Sequence, residues 1–285
     1  MRKESIENQN QTGDLKMKNP AELSRVSPAD FDLRKLNPRS TMGAGKRADT
    51  EARTEENLRK ISDLQYRLYA ENKQALLVVL QGIDAAGKDG AIRKVFSVLN
   101  PQGTRVRSFK VPTERERSHD FLWRIHKNVP RHGEVGIFNR SHYEDVLVVR
   151  VKNLAPEPVW RARYEQINQF ESLLHASGTR VLKFFLYIDA DEQKARFQSR
   201  LDDPEKQWKF SKADLEERKN WDAYIEAFQD ALTHCSTETA PWHVVPGNRK
   251  WVRNWVVSEI TRKTLEDMNP QIPPAEKGIA KLKIV

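Results

Sequence analysis

The stretch Gly82-Ile83-Asp84-Ala85-Ala86-Gly87-Lys88-Asp89-Gly90 constrains this chain more than any other, because it directly follows the apolar run Ala75-Leu76-Leu77-Val78-Val79-Leu80. A buried strand, a glycine loop bearing a lysine and a following helix together form a cradle for a string of phosphates. The spacing is G-x-x-x-x-G-K, the P-loop pattern. Gly82 and Gly87 let the backbone turn tightly and approach a ligand. The N–H groups of Ala85, Ala86, Gly87, Lys88, Asp89 and Gly90 are then predicted to line an anion nest. A helix beginning near Lys88 adds its positive end, and Lys88 supplies a mobile full charge to a transferring phosphoryl group. The plain alternative is a glycine turn that binds nothing, and the strand-before, helix-after context weighs against it.

The loop departs from the common pattern at Asp89, which stands where Ser or Thr usually holds magnesium. Asp84, inside the loop, is the better candidate. A carboxylate aimed at the nest is repelled by phosphates unless a divalent cation lies between them. Asp84 therefore reads as a ligand of Mg2+ (or Mn2+ in its place), directly or through water, or as a group orienting the incoming phosphate. Asp89 either supports the metal or favours the helix N-terminus.

The rest of the chain alternates helix and strand. Residues 1–50 are polar with scattered Gly, Ser and Pro, and predict a flexible or loosely packed arm. Residues 51–285 are then one P-loop phosphotransferase domain. Leu58, Ile61, Leu64 and Leu68 predict a helix over 54–72. Strands are expected at 104–111, 135–138, 181–188 and 242–245. Ser118 is expected to cap a helix carrying Phe121, Leu122 and Ile125. Trp160, Tyr164, Ile167, Phe170 and Leu174 mark another helix, ended by Gly178. A closing helix carries Val252, Trp255, Val256 and Ile260. This alternation predicts an α/β fold with a parallel sheet covered on both faces, and ligands at the carboxyl ends of its strands. Residues 189–232 break the rhythm: they are helical, highly charged and strand-free, with a capping box at Ser211-Lys212-Ala213-Asp214. Beside a P-loop this segment reads as a lid, the alternative being a solvated helical pair.

Among 285 residues, 49 are basic and 40 acidic, a net charge of +9 that favours a polyanionic partner. The single cysteine, Cys235, cannot make an internal bridge and fits a reducing compartment. No apolar run approaches the ~20 residues of a membrane span, and Met1-Arg2-Lys3-Glu4 opens no hydrophobic signal region. The expectation is a cytoplasmic protein without membrane attachment.

A second polar block, Phe138-Asn139-Arg140-Ser141-His142-Tyr143-Glu144-Asp145, follows the third strand. Arg140 is suited to clamp a phosphate through two N–H groups. Asn139 occupies a Walker-B-like position and, being neutral, is suited to hold a metal-bound water. Glu144 and Asp145 assist the metal, read the nucleotide, or serve only as helix N-terminal charge.

Four blocks together carry a resemblance: Gly82-x-Asp84-x-x-Gly87-Lys88-x-Gly90, Phe109-Lys110-Val111-Pro112-Thr113, Phe138 through Asp145, and Asp203-Pro204-Glu205-Lys206-Gln207-Trp208-Lys209. In this order they resemble the polyphosphate kinase 2 family, and the Asn-Arg-Ser-His-Tyr-Glu-Asp block is similar to its class III. The resemblance implies a three-layer αβα, thymidylate-kinase-like P-loop core with a helical lid. It implies magnesium-dependent, reversible transfer of a terminal phosphoryl group from inorganic polyphosphate to nucleotides, taking AMP to ADP and on to ATP, with guanine nucleotides as further acceptors and a homo-oligomer as the assembly. It also implies Asp84, Lys88 and Arg140 as catalytic residues, Asn139, Arg140 and Glu144 at the nucleotide, and Arg200, Lys206 and Lys209 as basic lid residues. Arg93 and Lys94, on the helix after the loop, are expected along a basic channel for the polyphosphate chain.

Two rivals share these features. One is an ATP-dependent nucleotide kinase on the same core, which needs a base-specific donor pocket. The other is a nucleic-acid-binding P-loop protein, which predicts aromatics interleaved with basic residues along a groove. Most aromatics here sit instead at helical core spacing.

Overall fold

A computed structural model of the chain describes residues 19–279 and Leu282. Its five strands are β1 (Ala75–Gln81), β2 (Thr104–Ser108), β3 (Val135–Asn139), β4 (Thr179–Tyr187) and β5 (Trp242–Pro246). They form one sheet in the order β2-β3-β1-β4-β5, and every pairing is parallel. The α-helices in chain order are α1 (Pro20–Ser24), α2 (Arg47–Glu71), α3 (Lys88–Ala91), α4 (Glu114–Arg117), α5 (Trp123–His126), α6 (Val148–Val151), α7 (Glu157–Ala176), α8 (Ala190–Leu201), α9 (Lys212–Lys219), α10 (Trp221–His234) and α11 (Lys250–Met268).

β1 is central and buried along its whole length, which explains why it reads as a continuous apolar run rather than an alternating one. Successive side chains point to opposite faces. Leu77 and Val79 join Trp160, Ile167, Phe170 and Phe228 in one core, whereas Leu76, Val78 and Leu80 join Leu58, Ile61, Trp255 and Val256 in the other. Helices α7 and α10 thus cover one face, and α2 and α11 the other. This is the three-layer arrangement expected from the sequence.

α2 begins at Arg47, earlier than its apolar period indicates. Its first turns are buried through polar residues: the Thr54 hydroxyl donates to Thr50 O at 2.8 Å, and Asn57 Nδ2 donates to Glu259 on α11 at 2.8 Å. Residues 19–50, part of the segment expected as a flexible or loosely packed arm, are mostly exposed and touch the core at a few points. Leu33 is fully buried and its N–H donates to Gln229 Oε1 at 2.7 Å; Arg25 bridges His243 at the β5 edge. Val26 and Leu33 join the core on the α7 and α10 side and Met42 the core on the α2 and α11 side, as isolated side chains that no period announces. Residues 1–18 lie outside those described.

Ser118 closes α4 instead of opening a helix. Thr113 is the cap there, with its hydroxyl taking the Glu116 N–H and Glu116 taking the Thr113 N–H at 2.8 Å. β2 ends at Ser108, short of the expected 111, and forms the exposed sheet edge. α7 ends as expected, with Gly178 left-handed at φ +82°. The lid segment is α8, α9 and α10 with no strand between them. Asp214 accepts the Ser211 N–H at 2.9 Å, the half of the capping box its carboxylate was expected to make. Among the described residues no helix is long and apolar enough to cross a membrane.

Candidate active site

The carboxyl end of β1 delivers the glycine loop. Gly82 stands at φ +155°, and a side chain there would meet the Leu186 carbonyl oxygen at 2.7 Å. Only glycine lets the chain leave β1 this close to β4. The loop closes into α3, and Lys88, 9% exposed, folds back over it. Its ammonium donates to Gly82 O at 2.6 Å and Ile83 O at 3.4 Å. Burial, and next the Arg140 charge, push its pKa down to about 8.

β3 ends beside the loop, and Arg140 is the first residue beyond it, held left-handed at φ +61°. Its N–H still donates to Leu80 O at 3.1 Å, which pins the turn to β1. The guanidinium reaches Asp84 Oδ1 at 2.6 Å and Glu144 Oε2 at 3.4 Å. Burial opposes its charge, but Glu144 and Asp84 outweigh burial and hold its pKa above the ordinary value. Asn139 Nδ2 donates to Asp89 Oδ1 at 2.6 Å. The residue in place of the usual Ser or Thr is therefore tied to the one in place of the usual acid.

A pocket opens over Gly82, Asp84, Arg140 and Glu144, and the lid segment supplies its far wall. Gln193 Nε2 donates to Asp84 O at 3.0 Å, and Arg218 donates to Gln193 Oε1 at 2.8 Å and Ala190 O at 2.7 Å. The Tyr224 hydroxyl donates to Glu217 at 2.7 Å; burial and then Glu217 raise its pKa, so it stays a neutral donor. Arg196 straps the loop from behind, donating to Ala85 O and Ala86 O, each at 2.9 Å, and to Gly247 O at 2.6 Å. No sequence motif marks Gln193, Arg196, Glu217, Arg218 or Tyr224 for the site. The available signal was helical spacing: Gln193 and Arg196 are three apart on α8, so they share a face.

Other expected site residues lie elsewhere. Arg200 donates to Lys209 O at 3.2 Å, Lys206 pairs with Asp203, and Lys209 lies over the exposed Trp208 ring at 5.0 Å. They gather around the turn between α8 and α9, outside the pocket wall. Arg93 is exposed, and Lys94 pairs with Glu55 on α2 at 2.5 Å.

Behind the Arg140 turn lies a dry polar knot. Lys183 on β4 is fully buried and donates to Glu171 Oε2 at 2.5 Å, Tyr143 Oη at 2.8 Å and Cys235 O at 2.7 Å. The Tyr143 hydroxyl donates to Glu171 Oε1 at 2.8 Å, and His142 Nε2 lies 3.2 Å from the same oxygen. Burial alone would raise the Glu171 pKa, but Lys183 and His142 more than reverse this, so Glu171 is ionised. Burial lowers the His142 pKa. A neutral ring facing that carboxylate carries its proton on Nε2.

Asp84 and Glu144 converge on one guanidinium, and among the described residues no cluster of three or more His, Cys, Asp or Glu side chains could hold a metal unaided. A small hard dication that keeps waters and takes phosphate oxygens needs only one or two protein carboxylates. Asp84, with Glu144 beside it, fits such an ion in company with phosphates.

A lysine-bearing glycine loop lies at the carboxyl end of a central parallel strand in this α/β protein, beside a pocket walled by α8, α9 and α10. The family model for polyphosphate kinase 2 matches residues 44–273. A protein named AMP/ADP-polyphosphate phosphotransferase from Meiothermus ruber is 53% identical over 263 residues, spanning 91% of this chain and 98% of that one. An ADP-polyphosphate phosphotransferase from Rhodopseudomonas palustris is 47% identical, spanning 76% of this chain and 81% of its own. The crystal structure of polyphosphate kinase 2 from Arthrobacter aurescens TC1 matches with TM-score 0.90 and 44% identity, covering 93% of this chain and 95% of that one. The chain belongs to the polyphosphate kinase 2 family.

Proposed function

We propose that this chain transfers the terminal phosphoryl group of inorganic polyphosphate to nucleoside mono- and diphosphates, taking AMP to ADP and ADP to ATP. The observation that carries the reading is the convergence of Lys88, Asp84 and Arg140 at adjoining strand ends. Such a site has little covalent chemistry to perform, and positioning with charge stabilisation does most of it. Lys88 holds the transferring phosphoryl group, Arg140 spans donor and acceptor oxygens, and Glu144 orients the nucleotide. The acceptor is already an anion at neutral pH, so no general base is required. A Mg2+ or Mn2+ ion at Asp84 supplies charge neutralisation between phosphates. The net charge of +9 supports a polyanionic donor. Guanine nucleotides as acceptors, a cytoplasmic setting and a homo-oligomer belong to the same proposal.

The test is direct. Pure protein is mixed with long-chain polyphosphate, Mg2+ and either AMP or ADP, and the nucleotides are separated by chromatography. ATP is expected from ADP, and ADP followed by ATP from AMP; no product from either acceptor overturns the reading.

A pH dependence follows from Lys88. Only its ammonium form holds a phosphate, and burial lowers its pKa to about 8. Below that pH the charge is already present. Above it, donor binding must take up a proton, because the phosphates raise the pKa. The KM for polyphosphate is therefore expected to be flat below pH 8 and to rise roughly tenfold per unit above it. A KM unchanged up to pH 9.5, together with no proton uptake on binding by calorimetry in two buffers, would remove Lys88 from the donor site.

A further inference from the structure

The proposed transfer reaction assigns no role to Arg253, yet its buried charge has no counter-charge among the described residues. It lies in the first turn of α11, 3% exposed. Its Nε and Nη2 donate only to the neighbouring Asn254 Oδ1, at 3.2 and 2.8 Å. Nη1 has no acceptor and the guanidinium no carboxylate partner among the described residues. A second guanidinium is close by: a Cβ built on Gly87 would lie 2.1 Å from Arg253 Nη1 and 3.4 Å from Arg196 Nη1. Arg196 is compensated, by Glu192 at 2.8 Å and by the loop carbonyls. Arg253 is not. Burial, and then Arg196, pull its pKa down to about 10, so the protein around it works against the charge.

Burying a cation without a counter-charge is costly. A hydrophobic side chain would fill the space at less cost if filling it were the purpose. Gly87 and Gly90 let the guanidinium lie directly against the loop backbone, since a Cβ at Gly90 would come within 3.2 Å of Arg253 Nη2. The unmatched charge, the unbonded Nη1 and the adjoining glycine loop call for an anion that arrives from outside.

We propose that Arg253 is a further phosphate-binding residue, with its Nη1 seating a phosphate of the polyphosphate chain at the Gly87 end of the glycine loop, away from Arg140. This deepens the transfer reading and rests on it for the identity of the anion. Two anion seats on one loop give the donor a direction. The terminal phosphoryl group meets Lys88 and Arg140, and a phosphate further along the chain meets Arg253. The nucleotide acceptor makes no use of the second seat.

The experiment compares wild type with Arg253→Met and Arg253→Lys. With Arg253→Met, the KM for polyphosphate is expected to rise ~10-fold or more, the scale of one charge-assisted hydrogen bond, while the KM for ADP stays within about twofold. Arg253→Lys should recover part of the loss. Melting curves with and without tripolyphosphate give a second readout that requires no turnover. The apo variant should melt no lower than wild type, because an uncompensated charge has been removed, and the rise induced by tripolyphosphate should shrink. A lowered apo melting temperature with an unchanged polyphosphate KM would show that Arg253 is a structural strut and overturn the proposal. Failure of the transfer reading looks different: the wild type would then make no ATP, and the tripolyphosphate shift would still decide whether Arg253 binds anions.

Discussion

Replacing Lys88 with methionine is expected to lower kcat for phosphoryl transfer by ~10^3-fold while leaving the fold intact, the loss typical of deleting one preorganised charge-stabilising donor. Among the described residues Lys88 carries the one ammonium that reaches over the glycine loop, where it donates to the loop carbonyls of Gly82 and Ile83. Its depressed pKa shows that burial disfavours the charge before phosphate arrives. Methionine preserves the length and apolar stem and removes the charge. Stability should therefore change by no more than about 1 kcal/mol, because no carboxylate is stranded. Single-turnover kinetics with polyphosphate and ADP, alongside a urea titration, check both halves. Turnover within tenfold of wild type would exclude Lys88 from the transferring phosphoryl group.

The largest stability loss is expected from the knot behind the Arg140 turn. Lys183→Met should cost about 3–5 kcal/mol, because it strands the Glu171 carboxylate, which is 1% exposed and cannot reach water. Adding Glu171→Leu should return most of that loss, since the buried charge then disappears from both sides. Recovery should be incomplete, because the Tyr143 hydroxyl and His142 Nε2 lose their shared acceptor. Urea midpoints of the two single variants and the double variant give the coupling between the pair. Additive losses would show that Lys183 and Glu171 do not act as a unit. The knot also touches the site: His142 and Tyr143 follow Arg140 by two and three positions in the chain, so loosening them releases the turn that presents its guanidinium.

The sequence made much of this fold legible because the signals were periodic. β1 and β4 are apolar runs, and α7 and α10 carry stripes at helical spacing, so element type and order followed directly. Asp84, Lys88 and Arg140 were legible because they sit in contiguous blocks at strand ends. What escaped was non-periodic or formed by contacts distant in sequence. The early turns of α2 are buried through Thr50, Thr54 and Asn57, which read as surface residues. The packing of residues 19–50 rests on isolated apolar side chains. Arg196 and Arg253 lie 109 and 166 positions beyond Gly87, and only the fold shows that their guanidiniums meet over it. Conversely, Arg200, Lys206 and Lys209 had the right charge for a lid, but they gather around the α8–α9 turn, where Arg200 donates to Lys209 O and Lys206 pairs with Asp203. The residues that do wall the pocket, Glu217, Arg218 and Tyr224, carry no motif of their own.

Arg140 grips Asp84 and Glu144 at once. The groups that would stabilise a departing phosphoryl are therefore engaged with one another, and water alone offers no anion to pull Arg140 away. An incoming phosphate and its accompanying cation do, by giving the guanidinium and the carboxylates better partners than each other. The clamp thus works as an interlock.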